Sequence, residues 1–218
     1  MKRKIAGRLL IMLLPLVLFG SPLPEPYASI ATLPLDDESA FFLNQKPLFQ
    51  ILSQKKCDVI IEVGSWLGAS ARFMAKLQPE NGKLYAVDTW NGSIEHIQER
   101  LPQLSYLFQQ FLSNVIHTGL TDTIVPIRMR SVEAAKALNI SADLIYLDAA
   151  HDTDSVCEDV LAWLPHLNPD GVFCGDDWHA PSVRKGVERA LQKTGGKYTV
   201  EGGAGDNHGF WLLHPVSK

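Results

Sequence analysis

Three aspartates and a histidine stand just past the ends of apolar runs. Asp148 follows Leu144 to Leu147, Asp176 and Asp177 follow Val172 to Gly175, and His151 lies three residues beyond Asp148. Asp176 and Asp177 come 28 and 29 residues after Asp148. Carboxylates gathered in one place repel unless they are paired or bound to a cation. Oxygen-only ligands favour a hard ion such as Mg²⁺ over zinc, so Asp148, Asp176 and Asp177 are candidate metal ligands. A neutral imidazole beside them suits a general base, which makes His151 the first candidate and His179 the second. Asp148 and His151 are therefore the expected catalytic pair.

A second constellation lies upstream. Glu62, Gly64 and Gly68 fall within a Val- and Ile-rich stretch that turns into a helical pattern, and Asp88 comes 24 residues after Gly64. Strand, glycine turn and helix aim backbone N–H groups at a ligand. An acidic residue at the end of the following strand is placed to accept hydrogen bonds from ribose hydroxyls. A dinucleotide site would want a glycine where Trp66 stands, because bulk there obstructs a pyrophosphate. S-adenosylmethionine has no pyrophosphate, and Glu62 suits its cationic amino-acid end. Ser131, after the third strand, is a possible adenine-side contact or else a helix cap.

These residues need a scaffold of alternating strands and helices. Strands are expected over 58–63, 83–87, 123–129, 143–147 and 172–175, with two more over 197–200 and 209–213. Helices are expected over 38–53, from Gly68 to Leu77, over much of 94–118 with a break at Pro102, and over 132–138, 153–164 and 181–192. Asn168 to Gly171 reads as a turn. Alternation of this kind implies a doubly wound, mostly parallel Rossmann-like α/β sheet with helices on both faces. The last two strands have no helix between them and should form an antiparallel hairpin at one edge. Ligands then bind beyond the carboxyl ends of the strands, where the acidic residues fall.

The stretches Glu62 to Ser70, Ala86 to Trp90, Leu144 to His151 and Gly175 to Trp178 resemble the class I S-adenosylmethionine-dependent methyltransferases. They look most like the bacterial small-molecule O-methyltransferases of macrocin and catechol type. The resemblance covers roughly residues 53–213 and implies a seven-stranded sheet. It implies cofactor contacts from Glu62, Gly64, Ser65, Trp66, Gly68, Asp88, Thr89, Trp90, Ser131 and Asp148. The catechol-type enzymes usually carry Asn as their third metal ligand, where this chain has Asp177. The activity implied is transfer of a methyl group from S-adenosyl-L-methionine to a small hydroxylated molecule, a sugar being one candidate, with Mg²⁺ or another divalent cation.

The remaining features bound the reading. The 218 residues carry a formal charge of −4, with four of the 20 basic residues in the first eight positions. No basic stripe suggests nucleic acid as a partner. Residues 1–20 have the layout of a signal peptide or membrane anchor, a basic start followed by a short apolar run, with cleavage near Gly20 or Ala28. They are the one possible membrane contact. Residues 21–37 read as a Pro-rich linker and 38–218 as the methyltransferase domain. A leader of this kind suggests a membrane-associated or exported protein, whereas the cofactor suggests the cytoplasm. Asn91 to Thr118 and Gly202 to His208 are expected to roof the acceptor site, with Trp90 and Trp178 as possible walls. Cys57, Cys157 and Cys174 lack metal-site spacing and read as core thiols. Two alternatives remain open: a nicotinamide-dependent oxidoreductase, and an exported binding protein that keeps the fold without turnover. Oligomeric state has no signature.

Overall fold

Seven apolar stretches pair side by side into one sheet, seen here in a computed structural model that describes residues 22–38, 42–93, 97–98, 102–203 and 209–216. The strands are β1 (Val59–Val63), β2 (Lys83–Asp88), β3 (Ile124–Arg128), β4 (Ala142–Leu147), β5 (Leu167–Gly175), β6 (Tyr198–Gly202) and β7 (Trp211–Pro215). Their spatial order is β3-β2-β1-β4-β5-β7-β6. The first five strands run parallel, and β7 is inserted antiparallel between β5 and β6. The helices are α1 (Gln45–Gln54), α2 (Ala69–Leu77), α3 (Leu107–His117), α4 (Ser131–Ala137), α5 (Thr153–Trp163) and α6 (Pro181–Lys193).

Alternation along each buried strand feeds two cores. Ile60, Leu144 and Tyr146 pack under α1, α2 and α3, with Met74, Phe111 and Leu48. Ile61, Val63, Ile145 and Leu147 face the other way, onto α4, α5 and α6, with Val160, Trp163 and Val187. Both faces of the central strands are therefore apolar, as parallel strands require. All three cysteines are buried, free thiols.

The sequence expectations differ from the structure at several places. The helix expected over 38–53 begins only at Gln45, and Leu43 ahead of it is largely solvent-exposed. Residues 39–41 lie outside the described residues. The turn expected at Asn168 to Gly171 is instead the first half of β5, which pairs from Leu167 with Ala142 and shifts register before Leu144. That shift accommodates Pro169, which has no N–H to offer a ladder. The segment over 94–118 resolves into a 3₁₀ turn, Pro102–Ser105, and then α3. Ser131 is the first residue of α4 and does not cap it.

The Pro-rich segment makes a 3₁₀ turn at Tyr27–Ser29 and lies packed along α3. Tyr27 is buried and its hydroxyl donates to the Ile124 carbonyl at 2.8 Å. Gln109 Nε2 donates to Ala31 O, Gln110 Nε2 to Pro34 O, and Ser113 Oγ accepts the Leu33 N–H. Residues 1–20, with the expected leader, lie outside the described residues. Of the two cleavage points read from sequence, the one near Ala28 would cut through this packed strap. Among the described residues no helix is long and apolar enough to cross a membrane.

If the strap belongs to the folded unit, Tyr27→Ala should cost about 3–5 kcal/mol of unfolding free energy, the usual cost of emptying a buried aromatic site. Urea denaturation followed by circular dichroism checks this. A change under about 1 kcal/mol would mean the strap contributes little.

Candidate active site

Parallel strands deliver their carboxyl ends to one rim, and the hydrogen-bond ladder continues one residue past several of them. Gly64 N–H donates to Val87 O, Asp148 N–H to Val63 O, and Asp176 N–H to Leu147 O, at 2.8, 2.8 and 3.0 Å. Gly64, Asp88, Asp148 and Asp176 consequently share one edge of the sheet.

The turn after β1 is built from costly backbone conformations held by a carboxylate. Gly64, Trp66 and Gly68 have φ of +91°, +45° and +80°. Left-handed backbone is unusual for a residue as large as Trp66. A Cβ on Gly64 would lie 1.8 Å from the carbonyl oxygen of Asp148, so only glycine fits. Asp88 Oδ2 accepts the N–H groups of Ser65 and Trp66, each at 2.9 Å, and Oδ1 accepts that of Trp90 at 2.7 Å. One side chain thus ties the turns after β1 and β2 together, with one of about four lone-pair sites left for a ligand.

A cleft of about 680 Å³ opens beside this turn, lined among others by Gly64, Trp66, Asp88, Thr89, Ser131 and Asp148. That volume suits a cofactor-sized molecule. Four of the expected cofactor residues are not on its wall. Glu62 and Ser65 are buried beneath the turn, where Ser65 Oγ donates to Glu62 Oε2 at 2.5 Å. Gly68 starts α2 against the ring of Phe111. Trp90 sits in the core between Phe108 and Phe111, both ring centroids 4.6 Å away. These four shape the turn from behind. Sequence spacing did not separate them from true wall residues, because neighbours in a tight turn point in opposite directions. Ser131 accepts a hydrogen bond from Trp163 Nε1 at 2.9 Å. The wall also includes Met129, Lys136 and Asp159, whose α-helical or loop positions carried no motif.

Asp148 lines both this cleft and a small recess of about 10 Å³, the room of a single water-sized body, shared with His151, Asp176, Asp177 and Trp211. His151 Nε2 lies 2.8 Å from Asp177 Oδ2, and His179 Nε2 lies 3.8 Å from Asp177 Oδ1. Asp177 has φ of +60°, strained backbone that aims its carboxylate at the histidines. Asp148, His151 and Asp177 each offer a ligand atom within 4.8 Å of the others. Asp176 lines the recess without joining that set, and its Oδ1 accepts the Asp177 N–H at 2.6 Å. The ligand atoms that converge here are thus two carboxylates and an imidazole, whereas the sequence expectation named Asp148, Asp176 and Asp177. Trp178 packs on Gly202 of β6, while Trp211 takes the wall position and donates to Asp176 O at 2.8 Å.

Of the roof expected over 91–118, Asn91, Gly92 and Ser93 stand on the cleft wall, and α3 is part of the core. Residues 94–96, 99–101 and 204–208 lie outside the described residues.

The electrostatics of the rim are one-sided. Burial, then Asp176, Asp177 and Glu62, hold the Asp148 carboxyl well above the usual range. Burial raises Asp176. The hydrogen bond from His151 holds Asp177 low. Tyr146, fully buried in β4, donates to Asp148 Oδ2 at 3.4 Å and accepts from Asn44 Nδ2 at 3.2 Å. Sequence reading missed both residues, since a tyrosine inside an apolar strand looks like core and Asn44 is more than 100 positions away. An excess of buried negative charge is the environment a cation relieves.

The mixed sheet with its cleft at the carboxyl rim is the architecture of Rossmann-like methyltransferases, and solved structures share it. TomG, an O-methyltransferase from Streptomyces achromogenes in complex with SAM, aligns at TM-score 0.61 with 18% identity over 80% of each chain. The O-methyltransferase from Bacillus cereus in complex with SAH aligns at 0.61 with 15% identity over 84% of each. SAH-bound PaMTH1 from Podospora anserina aligns at 0.56 with 18% identity, over 78% of this chain and 76% of that one. No curated protein matches the chain. A family model described as a methyltransferase domain matches residues 61–178, more than half of the chain. The chain therefore belongs to this methyltransferase family, which sets the nicotinamide oxidoreductase reading aside.

Two outcomes follow from this geometry. Gly64→Ala should abolish S-adenosylhomocysteine binding in calorimetry, because its clash is with backbone that has nowhere to go; wild-type affinity would contradict the packing. Burial lifts the Glu62 carboxyl to about 7 from its ordinary 4.5. Between those values the folded chain keeps a proton that the unfolded chain releases, so stability falls as pH rises through that window. Glu62→Gln should remove this loss, gaining on wild type by up to about 3 kcal/mol between pH 4.5 and pH 8. Parallel unfolding curves at both pH values for the two proteins would refute it.

Proposed function

We propose that the protein is an S-adenosylmethionine-dependent O-methyltransferase acting on a small hydroxylated molecule with the help of a divalent cation. The observation that carries this reading is the double role of Asp148. It is on the wall of the cofactor-sized cleft and also one of the three residues converging in the acidic recess. A methyl donor in the cleft and a hydroxyl group in the recess would meet beside it.

The donor supplies a methyl group on a sulfonium centre, open to in-line attack by oxygen. Gly64 lets the backbone come close to it, and Asp88, on the cleft wall, accepts from a ribose hydroxyl at its remaining lone pair. Asp148 and Asp177 would hold the cation, which makes a bound hydroxyl more acidic. The crowding of Asp148, Asp176 and Asp177 in one recess supports this. With Nε2–H donated to Asp177, His151 takes the substrate proton at Nδ1, and Asp177 stabilises the imidazolium that results. TomG and the Bacillus cereus enzyme are O-methyltransferases by description, which favours oxygen as the acceptor atom.

Calorimetry with S-adenosylmethionine and NAD, followed by a panel of hydroxylated sugars and phenols with Mg²⁺ or Mn²⁺, tests the reading. Binding of the first ligand alone, with methyl transfer lost on chelation and restored by metal, is expected. Asp148→Asn should remove metal dependence along with nearly all activity. His151→Gln should lower kcat by about 10²–10⁴ while metal affinity holds, if it is the base. A chelator-insensitive wild type would remove the cation from the proposal, and turnover of no hydroxyl compound would favour a binding role.

A further inference from the structure

The backbone polar groups of the turn after β1 are held from two sides. Its N–H groups, at Ser65 and Trp66, donate to Asp88. Its carbonyls, at Leu67 and Gly68, are held by side chains that are themselves gripped by the strap at residues 22–38. Asn114 on α3 is fully buried and its carboxamide makes four hydrogen bonds. Nδ2 donates to Leu67 O and to Asp36 O, both at 2.9 Å. Oδ1 accepts from the Asp36 N–H and from Gln110 Nε2, both at 3.0 Å. The pair of bonds to Asp36 closes a ring like that between two strands. The next strap residue, Asp37, pairs with the buried Arg72, whose Nε donates to Gly68 O at 3.1 Å. Two consecutive strap residues therefore reach the carbonyls of two consecutive turn residues, each through one intervening side chain.

We infer that Asn114 is a positioning residue for the cofactor turn, and that the strap is the support it acts through. The left-handed Trp66 and Gly68 do not hold themselves in place. Fixing the carbonyl side of the turn is what lets Asp88 hold its N–H side in a binding-ready shape, so that the ligand does not have to order it. Other strap contacts attach it to α3 without reaching the turn: Gln109 Nε2 to Ala31 O, at 2.7 Å, is one. The inference rests on the reading that this turn binds the adenosyl cofactor.

Calorimetry with S-adenosylhomocysteine on the full chain, paired with melting temperatures, tests it in Asn114→Ala, Asp37→Asn and Gln109→Ala. Asp37 is largely exposed, so Asp37→Asn folds even if Asn114→Ala does not, and it then decides the matter. Asn114→Ala is expected to weaken binding tenfold or more and Asp37→Asn at least threefold. The KM for S-adenosylmethionine should rise in step, with kcat at saturating donor within twofold of wild type. Gln109→Ala should bind within twofold of wild type whatever its melting temperature. Unchanged affinity in Asp37→Asn and in any folded Asn114→Ala overturns the inference, and so does a loss in all three that simply tracks melting temperature. Wild type that fails to bind S-adenosylhomocysteine overturns the cofactor reading itself, a result visible before any variant is made.

Discussion

The arrangement of this rim depends on a contact that leaves no room for a side chain. Gly64 passes so close to the Asp148 carbonyl that even a methyl group would overlap it. The contact joins the turn after β1 to the residue after β4, two segments more than 80 positions apart in the chain. It places the cofactor cleft and the acidic recess against each other with Asp148 as their common member. A sheet with a wider spacing at this point would keep both features and lose their juxtaposition.

Around that contact the protein accumulates strain and charge that an ordinary surface would avoid. Among the described residues, Trp66, Trp90 and Asp177 are the non-glycine residues with left-handed backbone, and all three lie in the rim turns. Side chains offset their cost: the Asp88 carboxylate accepts from the N–H groups of both tryptophans, and the Asp177 carboxylate is paired with the His151 imidazole. Burial is the largest cause of the raised carboxyls of both Asp148 and Glu62. Such concentrations of unfavourable terms are typical of sites built for a ligand.

Much of the fold was legible because its signals are local. Apolar runs marked the five parallel strands, and four of them end at or just before Gly64, Asp88, Asp148 and Asp176. Asp152 before α5 is a true N-cap, accepting from the Asp154 and Ser155 N–H groups. The misreadings share a cause. Asn168 to Gly171 has every local mark of a turn, yet it is carried in β5 as the irregular stretch between the Leu167 and Val172 pairs, with Asn168 Nδ2 donating to Asp143 Oδ1. The proline-rich segment has the composition of a spacer, yet buried polar residues on α3, Gln110, Ser113 and Asn114, receive its backbone. In both, partners distant in sequence supplied hydrogen bonds that local propensity does not record.

From sequence alone came the list of chemical groups: the glycine turn, the acidic strand ends and the histidine three residues past one of them. Periodicity and spacing determine these because strand, turn and helix are properties of neighbouring residues. Which of those groups face a ligand was decided in three dimensions. Tertiary packing turned Glu62, Ser65 and Trp90 inward to brace the turn, brought His151 rather than Asp176 into the set around Asp148 and Asp177, and brought in Tyr146 and Asn44. The physical reason is that a side chain's direction at a tight turn depends on the backbone packed against it, and that backbone comes from elsewhere in the chain.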